Sequence, residues 1–248
     1  MESSDAPASV AAHSKDVYET WHEQHEVDAT ADSPWHRLVQ QYLNMPRDVT
    51  GKRVLEIACG RGGFTCWLAR QPHPPSGIVA SDFAYAAVKR GQAYAREHKL
   101  DDISWEVGDI QALAHPDASF DTVISCETVE HVPDSRRAIN ELARVLKPGG
   151  RLFLTAPNYM GMLGLYRFYL RLRGRVFTEV GQPINHFLLL PRTRSWISRA
   201  GLRVEKVDAV GHYLPFPGRP PIELSFLNNP RVLMRWFALH ALIVAQKL

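Results

Sequence analysis

Between Lys52 and Ala156, short apolar strands alternate with helical stretches, which predicts an α/β protein built on a parallel, doubly wound sheet. A buried strand, Lys52-Arg53-Val54-Leu55-Glu56-Ile57-Ala58, runs straight into a glycine-rich turn, Cys59-Gly60-Arg61-Gly62-Gly63. Three carboxylates, Glu56, Asp82 and Asp109, then arrive at successive strand ends. Ligands of such sheets sit beyond the C-terminal ends of the strands.

Met1 to Ala12 is polar, lacks an apolar signal core and reads as disordered, so export is not expected. Helices follow over about Ser14–Glu26 and Pro34–Leu43. Ser33-Pro34 starts the second, with an N-cap serine and a proline at the first helical position. Tyr18, Trp21, Trp35, Leu38, Val39 and Tyr42 give both an apolar face, as in a packed cap. Tyr18, Trp21 or His22 alternatively closes over a ligand. His22-x-x-His25 has helical ligand spacing but no third ligand, and reads as a solvated pair.

After the glycine turn a helix is expected over about Phe64–Gln71, stopped by Pro72, Pro74 and Pro75. Gly77–Ser81 is a strand ending in Asp82, Ala84–Lys99 a helix, and Ile103–Val107 a strand followed by Gly108-Asp109. Phe120–Ser125 is the next strand. Ser135–Leu146 is a helix ended by Lys147-Pro148-Gly149-Gly150, and Arg151–Ala156 is the strand after it. Met162–Leu172 reads as a helix, with Arg167, Arg171 and Arg175 spaced along one face. This stripe is either the solvated side of a core-facing helix, an interfacial surface that meets lipid, or part of a lid. Phe187–Gly201 is a helix, Leu202–Val210 a strand, residues 211–230 a Pro-rich loop, and Trp236–Gln246 the final strand.

The 248 residues, 45% hydrophobic and 22% charged, suit one globular domain with a real core. No apolar run reaches the roughly 20 residues of a membrane-spanning helix, and a cytoplasmic protein is expected. Cys59, Cys66 and Cys126 lack metal or redox spacing and read as reduced thiols. The net charge of +3 is uneven. Residues 1–158 hold 16 Lys/Arg against 22 Asp/Glu, and residues 159–248 hold 13 against 4. A basic C-terminal third suits an anionic partner or surface.

Three ligand classes share a glycine-rich strand-to-helix turn. The absence of Gly-Lys-Ser/Thr excludes a P-loop, and A-x-G-x-G-G is misspaced for the dinucleotide pattern. The run Glu56-x-Ala58-Cys59-Gly60-x-Gly62-Gly63 instead resembles motif I of class I S-adenosylmethionine (SAM) methyltransferases, with Ala58 where the family has Gly. Glu130-His131-Val132-Pro133-Asp134 and the segment from Glu141 to Pro157 extend the likeness over residues 52–158. The form around Glu130 is similar to small-molecule enzymes, notably the ubiquinone-biosynthesis O-methyltransferases.

The resemblance implies a Rossmann-like doubly wound seven-stranded sheet with helical cap segments, in one domain. Residues 1–47 would be an N-terminal cap, 48–158 the SAM-binding core, 159–187 an inserted cap helix and loop, and 188–248 the C-terminal core with a loop at 211–232. It implies SAM as cofactor and S-adenosylhomocysteine as product, held by Glu56, Ala58, Gly60, Gly62, Asp82, Phe83, Asp109, Ile110 and Cys126. Asp82 is placed to accept the ribose hydroxyls, Phe83 to pack on adenine and Asp109 to accept from its amine.

His131 is the leading candidate base for a hydroxyl acceptor, with Glu127 and Glu130 beside it. Those three also suit a divalent metal, which is not favoured because a helix would spread them over more than one face. Tyr18, Trp21, Tyr159, His186, His212 and Tyr213 are candidate substrate-pocket residues, and their aromatic company favours an apolar or aromatic small molecule. The lack of an Asn/Asp-Pro-Pro-Tyr run and of any attached nucleic-acid module argues against a nucleic-acid substrate. Transfer to oxygen is preferred. Transfer to carbon or nitrogen, a membrane-associated enzyme acting on a lipid-like quinone precursor through residues 160–175, and a SAM-binding regulator without turnover are the alternatives.

Overall fold

The computed structural model describes residues 16–24, 27–28, 30–175, 186–216, 219–228 and 233–248. The expected disorder of Met1 to Ala12, and His25 of the histidine pair, lie outside the described residues.

A seven-stranded sheet forms the centre. Its strands are β1 (Arg53–Ile57), β2 (Gly77–Asp82), β3 (Ile103–Val107), β4 (Phe120–Cys126), β5 (Leu146–Pro157), β6 (Leu202–Val210) and β9 (His240–Lys247). They lie in the order β3-β2-β1-β4-β5-β9-β6. β3, β2, β1, β4 and β5 pair in parallel, while β9 runs against both β5 and β6. The chain starts at β1, winds outward through β2 to β3, and returns to the other side of β1 at β4. That reversal opens a crevice at the C-terminal ends of β1 and β4.

Strand alternation divides the core into two faces. Leu55, Val123, Leu152, Leu154 and Ile243 pack toward α5 (Ser135–Val145) and α7 (Leu190–Arg199), meeting Ile139, Leu142 and Ile197. Val54, Ile124, Phe153, Leu242 and Val244 pack the other way, onto Leu38 and Val39 of α2 (Pro34–Tyr42) and Phe64 and Leu68 of α3 (Gly63–Ala69). Each of these large side chains contributes about 1.5–3 kcal/mol by leaving water. A π-helical turn at Met45–Val49 puts Asp48 in the interior, where both its oxygens accept from Nη1 of Arg151 at 3.1 and 3.0 Å. Tyr42 donates to Asp208 of β6, so the N-terminal segment is tied to the far half of the sheet.

Several boundaries differ from the sequence expectation. Helix α5 stops at Val145, and Lys147-Pro148-Gly149-Gly150 is the irregular opening of β5, where the register slips between Phe120 and Thr122. Helix α7 leaves out Phe187 to Leu189 and is opened by Leu190-Pro191-Arg192, as the sequence suggests, with Pro191 in the first turn where no helical N–H bond is lost. Strand β9 starts at His240, not Trp236. Leu233–Phe237 is a 3₁₀ turn whose exit is held by Asn158, which donates its side-chain amide to the Trp236 and Ala238 carbonyls at 2.7 and 3.3 Å. Part of the expected loop at 211–230 is a hairpin of β7 (Tyr213–Phe216) with β8 (Arg219–Glu223).

Helix α6 (Met162–Leu172) exists as expected but does not face the core, since Gly164 is its one buried residue. Arg175 lies past its end, and Arg167 packs over the rings of Tyr159 and Phe187 at 4.4 and 5.3 Å, so the three arginines do not form one solvated stripe.

Candidate functional site

A cavity of about 560 Å³ opens at the crevice between β1 and β4. Ile57, Ala58 and Gly60 line it after β1, Asp82 and Phe83 after β2, Val107 to Gln111 after β3, and Cys126 to Thr128 after β4. Tyr18 and His22 face it from α1 (residues 16–24), and His131, Val132 and Pro133 complete the wall.

Backbone geometry explains why the turn after β1 takes this shape. Ala58 is left-handed (φ 57°), as are Gly60 and Gly62. A Cβ on Ala58 there costs roughly 1–2 kcal/mol, which accounts for the family's glycine at this place. The turn is locked onto β2 by Asp82, whose Oδ2 accepts the Gly60 N–H at 2.8 Å and whose Oδ1 accepts the Ala84 N–H at 2.9 Å. Burial raises the Asp82 carboxyl to about 6, and these amides hold it lower than burial alone would.

Glu56 and Gly62 stand behind the cavity wall, not on it. Glu56 accepts from the Thr65 hydroxyl of α3, and burial lifts its carboxyl to about 8. Gly62 and Gly91 leave room for the indole of Trp105: a Cβ on either would come within 2.1 and 2.3 Å of that ring. Trp105 of β3 thus wedges between the turn and α4 (Tyr85–Glu97).

Helix α1 is pinned over the site by Glu19. Its carboxylate accepts the Tyr85 and Ala86 N–H groups at the exposed start of α4, both at 2.7 Å. This seats the Tyr18 ring against Phe83 (5.1 Å between centroids) and His131 (5.9 Å). His22 is buried beside the Arg61 guanidinium, at 3.2 Å. Trp21 packs on Arg61 and does not line the cavity. Asp109 accepts the Gln111 N–H at 2.8 Å in a tight turn, with Ile110 buried next to it. Burial pushes the Cys126 thiol well above its ordinary value.

Residues 127–134 form a turn, not the start of a helix. His131 Nε2 lies 3.4 Å from Glu130 Oε1, while Glu127 has a different ionic partner. Among the described residues no group of three His, Cys, Asp or Glu side chains could hold a metal ion.

The remaining candidates lie off the cavity. His186 Nε2 is 2.9 Å from the Pro133 carbonyl and braces that loop. His212 is buried between Asn228 Oδ1 (3.1 Å) and the Met234 carbonyl (2.8 Å). Tyr159 is buried under Arg167. Tyr213 stands against a histidine that sequence reasoning missed, His240, at 6.1 Å between centroids. His240 Nδ1 lies 3.1 Å from Glu127 Oε2. No motif marks His240. Its one sequence signal is its place at the start of the last strand.

A family model described as a methyltransferase domain matches residues 55–154. The chain is 31% identical over 191 residues to 27-O-demethylrifamycin SV methyltransferase of Amycolatopsis mediterranei, covering 75% of this chain and 66% of that protein. It is 29% identical over 184 residues to the ubiquinone biosynthesis O-methyltransferase of Xylella fastidiosa, covering 72% and 71%. With a phthiotriol/phenolphthiotriol dimycocerosates methyltransferase of Mycobacterium ulcerans it shares 39% over 108 residues, 44% of this chain and 38% of that one. The curated relatives thus run well beyond the segment they share with this chain. Among solved structures, an S-adenosylmethionine dependent methyltransferase from Mesorhizobium loti superposes with a TM-score of 0.61 at 19% identity, over 88% of this chain and 100% of that one. The [4+2]-cyclase SpnF superposes at 0.58 and 19%, over 85% and 80%. At such identities the likeness establishes the fold alone.

Proposed function

The chain belongs to the class I S-adenosylmethionine-dependent methyltransferases, and we propose that it methylates a hydroxyl oxygen of a small, apolar acceptor. The observation that carries this reading is Asp82: a buried carboxylate on the cavity wall, one hydrogen bond from the glycine turn, at the end of β2 and one strand from where the strand order reverses. The cavity volume falls within the range of about 300–1,000 Å³ typical of cofactor sites. In this reading Asp82 accepts the ribose hydroxyls, Phe83 packs on the adenine, and Asp109 with Ile110 borders its edge. Ala58, Gly60 and Cys126 border the rest of the cofactor. Glu56 and Gly62 act indirectly, by shaping the turn.

Bound SAM supplies a methyl group on a positively charged sulfur, open to direct displacement. The protein's part is to align the acceptor, exclude water and take up the hydroxyl proton. Of the titratable side chains on the wall, Asp82, Asp109 and His22 border the β1–β3 half. Glu127 and His131 follow β4 and line the wall there, which supports them as the groups that handle the proton. Two relatives named for methylation on oxygen support an oxygen acceptor over carbon or nitrogen.

Calorimetric titration with SAM and S-adenosylhomocysteine tests the reading. Asp82→Ala removes two charge-assisted hydrogen bonds and is expected to weaken binding by about 100-fold. In the wild type, affinity should fall as pH drops through about 6, where the Asp82 carboxylate takes up a proton and loses acceptor capacity. No binding to folded wild-type protein, or equal binding by the variant, would overturn the assignment.

A second reading concerns where the enzyme meets its acceptor. No helix among the described residues is long and apolar enough to cross a membrane. Helix α6 nevertheless exposes Met162, Leu165, Phe168, Tyr169 and Leu172 (Leu172 at 71%), beside exposed Arg171, Arg173 and Arg175. Apolar side chains flanked by arginines suit the surface of an anionic bilayer. We therefore infer peripheral membrane contact through residues 160–175. Co-sedimentation with phosphatidylglycerol vesicles should be lost in the Leu165→Glu/Phe168→Glu double variant; equal pelleting of variant and wild type would remove the reading.

A further inference from the structure

We propose that Glu127 and His240 form the pair that receives the acceptor's proton, with Glu127 touching the hydroxyl and His240 positioning it. The proposal rests on the methyl-transfer reading and deepens it.

Glu127 bridges two regions. It lines the cavity after β4, and its Oε2 meets His240 Nδ1 at 3.1 Å. Its other oxygen, Oε1, is buried and has no hydrogen-bond partner among the described residues. A buried carboxylate oxygen without a donor is costly, and a small turn of the side chain toward the cavity that Glu127 already lines lets an acceptor O–H supply the donor it lacks. The backbone is held for this purpose in an unfavourable form. Glu127 is left-handed (φ 47°), fixed by its N–H donating to both the carbonyl and the hydroxyl of Thr155 at 3.1 Å. Strain of this kind gathers at working sites.

His240 is equally prepared. It opens β9 opposite Pro157 of β5 and Val210 of β6, on the face that α2 covers. The Trp35 ring lies 5.1 Å from it and the Tyr213 ring 6.1 Å. Gly211 (φ 86°) makes room for both rings: a Cβ there would stand 3.0 Å from His240 Cδ2 and 2.8 Å from Tyr213 Cε2. Ionisable groups around the pair include His36, which burial lowers to about 4 and keeps neutral, Tyr213, which burial raises first and the nearby Glu223 and Glu127 carboxylates raise further, and Cys126, which burial first and then neighbouring carboxylates, Glu127 among them, push well up. Tyr213 also borders a small apolar recess with Leu163, Leu227 and Met234. The acceptor class we infer is a hydroxyl carried on an aromatic or apolar body, to suit the Tyr18, Val132 and Pro133 side chains that share the cavity wall with Glu127.

The step balances without another reactant. The acceptor oxygen forms its bond to the methyl carbon as the carbon–sulfur bond breaks, and the bonding pair returns to sulfur. The O–H proton passes to Glu127, and His240, donating to Oε2, holds the carboxylate in place.

The test uses the full-length protein loaded with S-adenosylhomocysteine and 4-ethylphenol as probe. NMR of ¹³C-labelled histidine follows His240, assigned by its absence from His240→Asn. The probe should shift the His240 signal saturably in the wild type. Glu127→Gln should lower the His240 titration midpoint by about one pH unit or more and weaken probe binding about tenfold. A His240 signal indifferent to the probe in wild-type protein overturns the proposal without any variant. Failure of S-adenosylhomocysteine to bind would instead sink the methyl-transfer reading, so the two failures are distinguishable.

Discussion

Glu56 shows how far a residue's role can depart from its motif. The sequence places it among three strand-end acids, and the structure puts it beneath the turn, where it accepts from Thr65. Burial lifts it from 4.5 to about 8. A carboxyl raised on folding stabilises the fold fully below its unfolded value, and that contribution is lost as pH rises through the folded value. Glu56→Gln keeps an acceptor for Thr65 and carries no charge. Its thermal stability relative to wild type should therefore improve steadily from pH 5 to 8 in ligand-free protein, by an amount on the order of a few kcal/mol. Parallel melting curves across that range would show that Glu56 is not protonated in the fold. Asp82 and Asp109 differ because each lies on the wall itself. Their strand-end positions were legible in the sequence because a strand end and its turn are one continuous segment.

At the level of elements, the glycine turn, α3, α4 and β3 form one packed unit around Trp105. Gly62 was read in the sequence as a ligand-approach glycine. What approaches it is the Trp105 indole. Gly91 in α4 carried no sequence signal, since its reason lies in β3. In an exposed helix Gly→Ala is stabilising by up to about 1 kcal/mol. At position 91 the added methyl meets Trp105 at 2.3 Å and the Arg61 carbonyl at 2.9 Å, so Gly91→Ala should instead cost about 1–3 kcal/mol in chemical denaturation. In a Trp105→Leu background the cost should shrink without vanishing, because the Arg61 carbonyl remains. An unchanged cost would place the whole conflict on the backbone. The C-terminal elements were harder to read for a related reason. Trp236 to Phe237 looks apolar enough for a strand, but the Asn158 side chain gathers the Trp236 and Ala238 carbonyls and delays β9 to His240.

Across the whole molecule, the uneven charge and the exposed apolar row coincide. The basic third of the chain carries α6, whose apolar side chains lack core partners. The acidic portion carries the cavity's carboxylates. Strand alternation, the glycine turn and the strand-end acids are local signals, each contained in one short segment, and they sufficed for the α/β sheet, the family and the β1–β3 half of the cavity. The pairing of β9 with β5 and the seating of α1 by Glu19 involve partners 66 or more residues apart in the chain. So does the meeting of Glu127 with His240, 113 residues away. No local pattern encodes such a pairing. It exists because β9 runs antiparallel and delivers its first residue to the edge where β4 ends its last, and there the strand register, not the motif, chose the histidine.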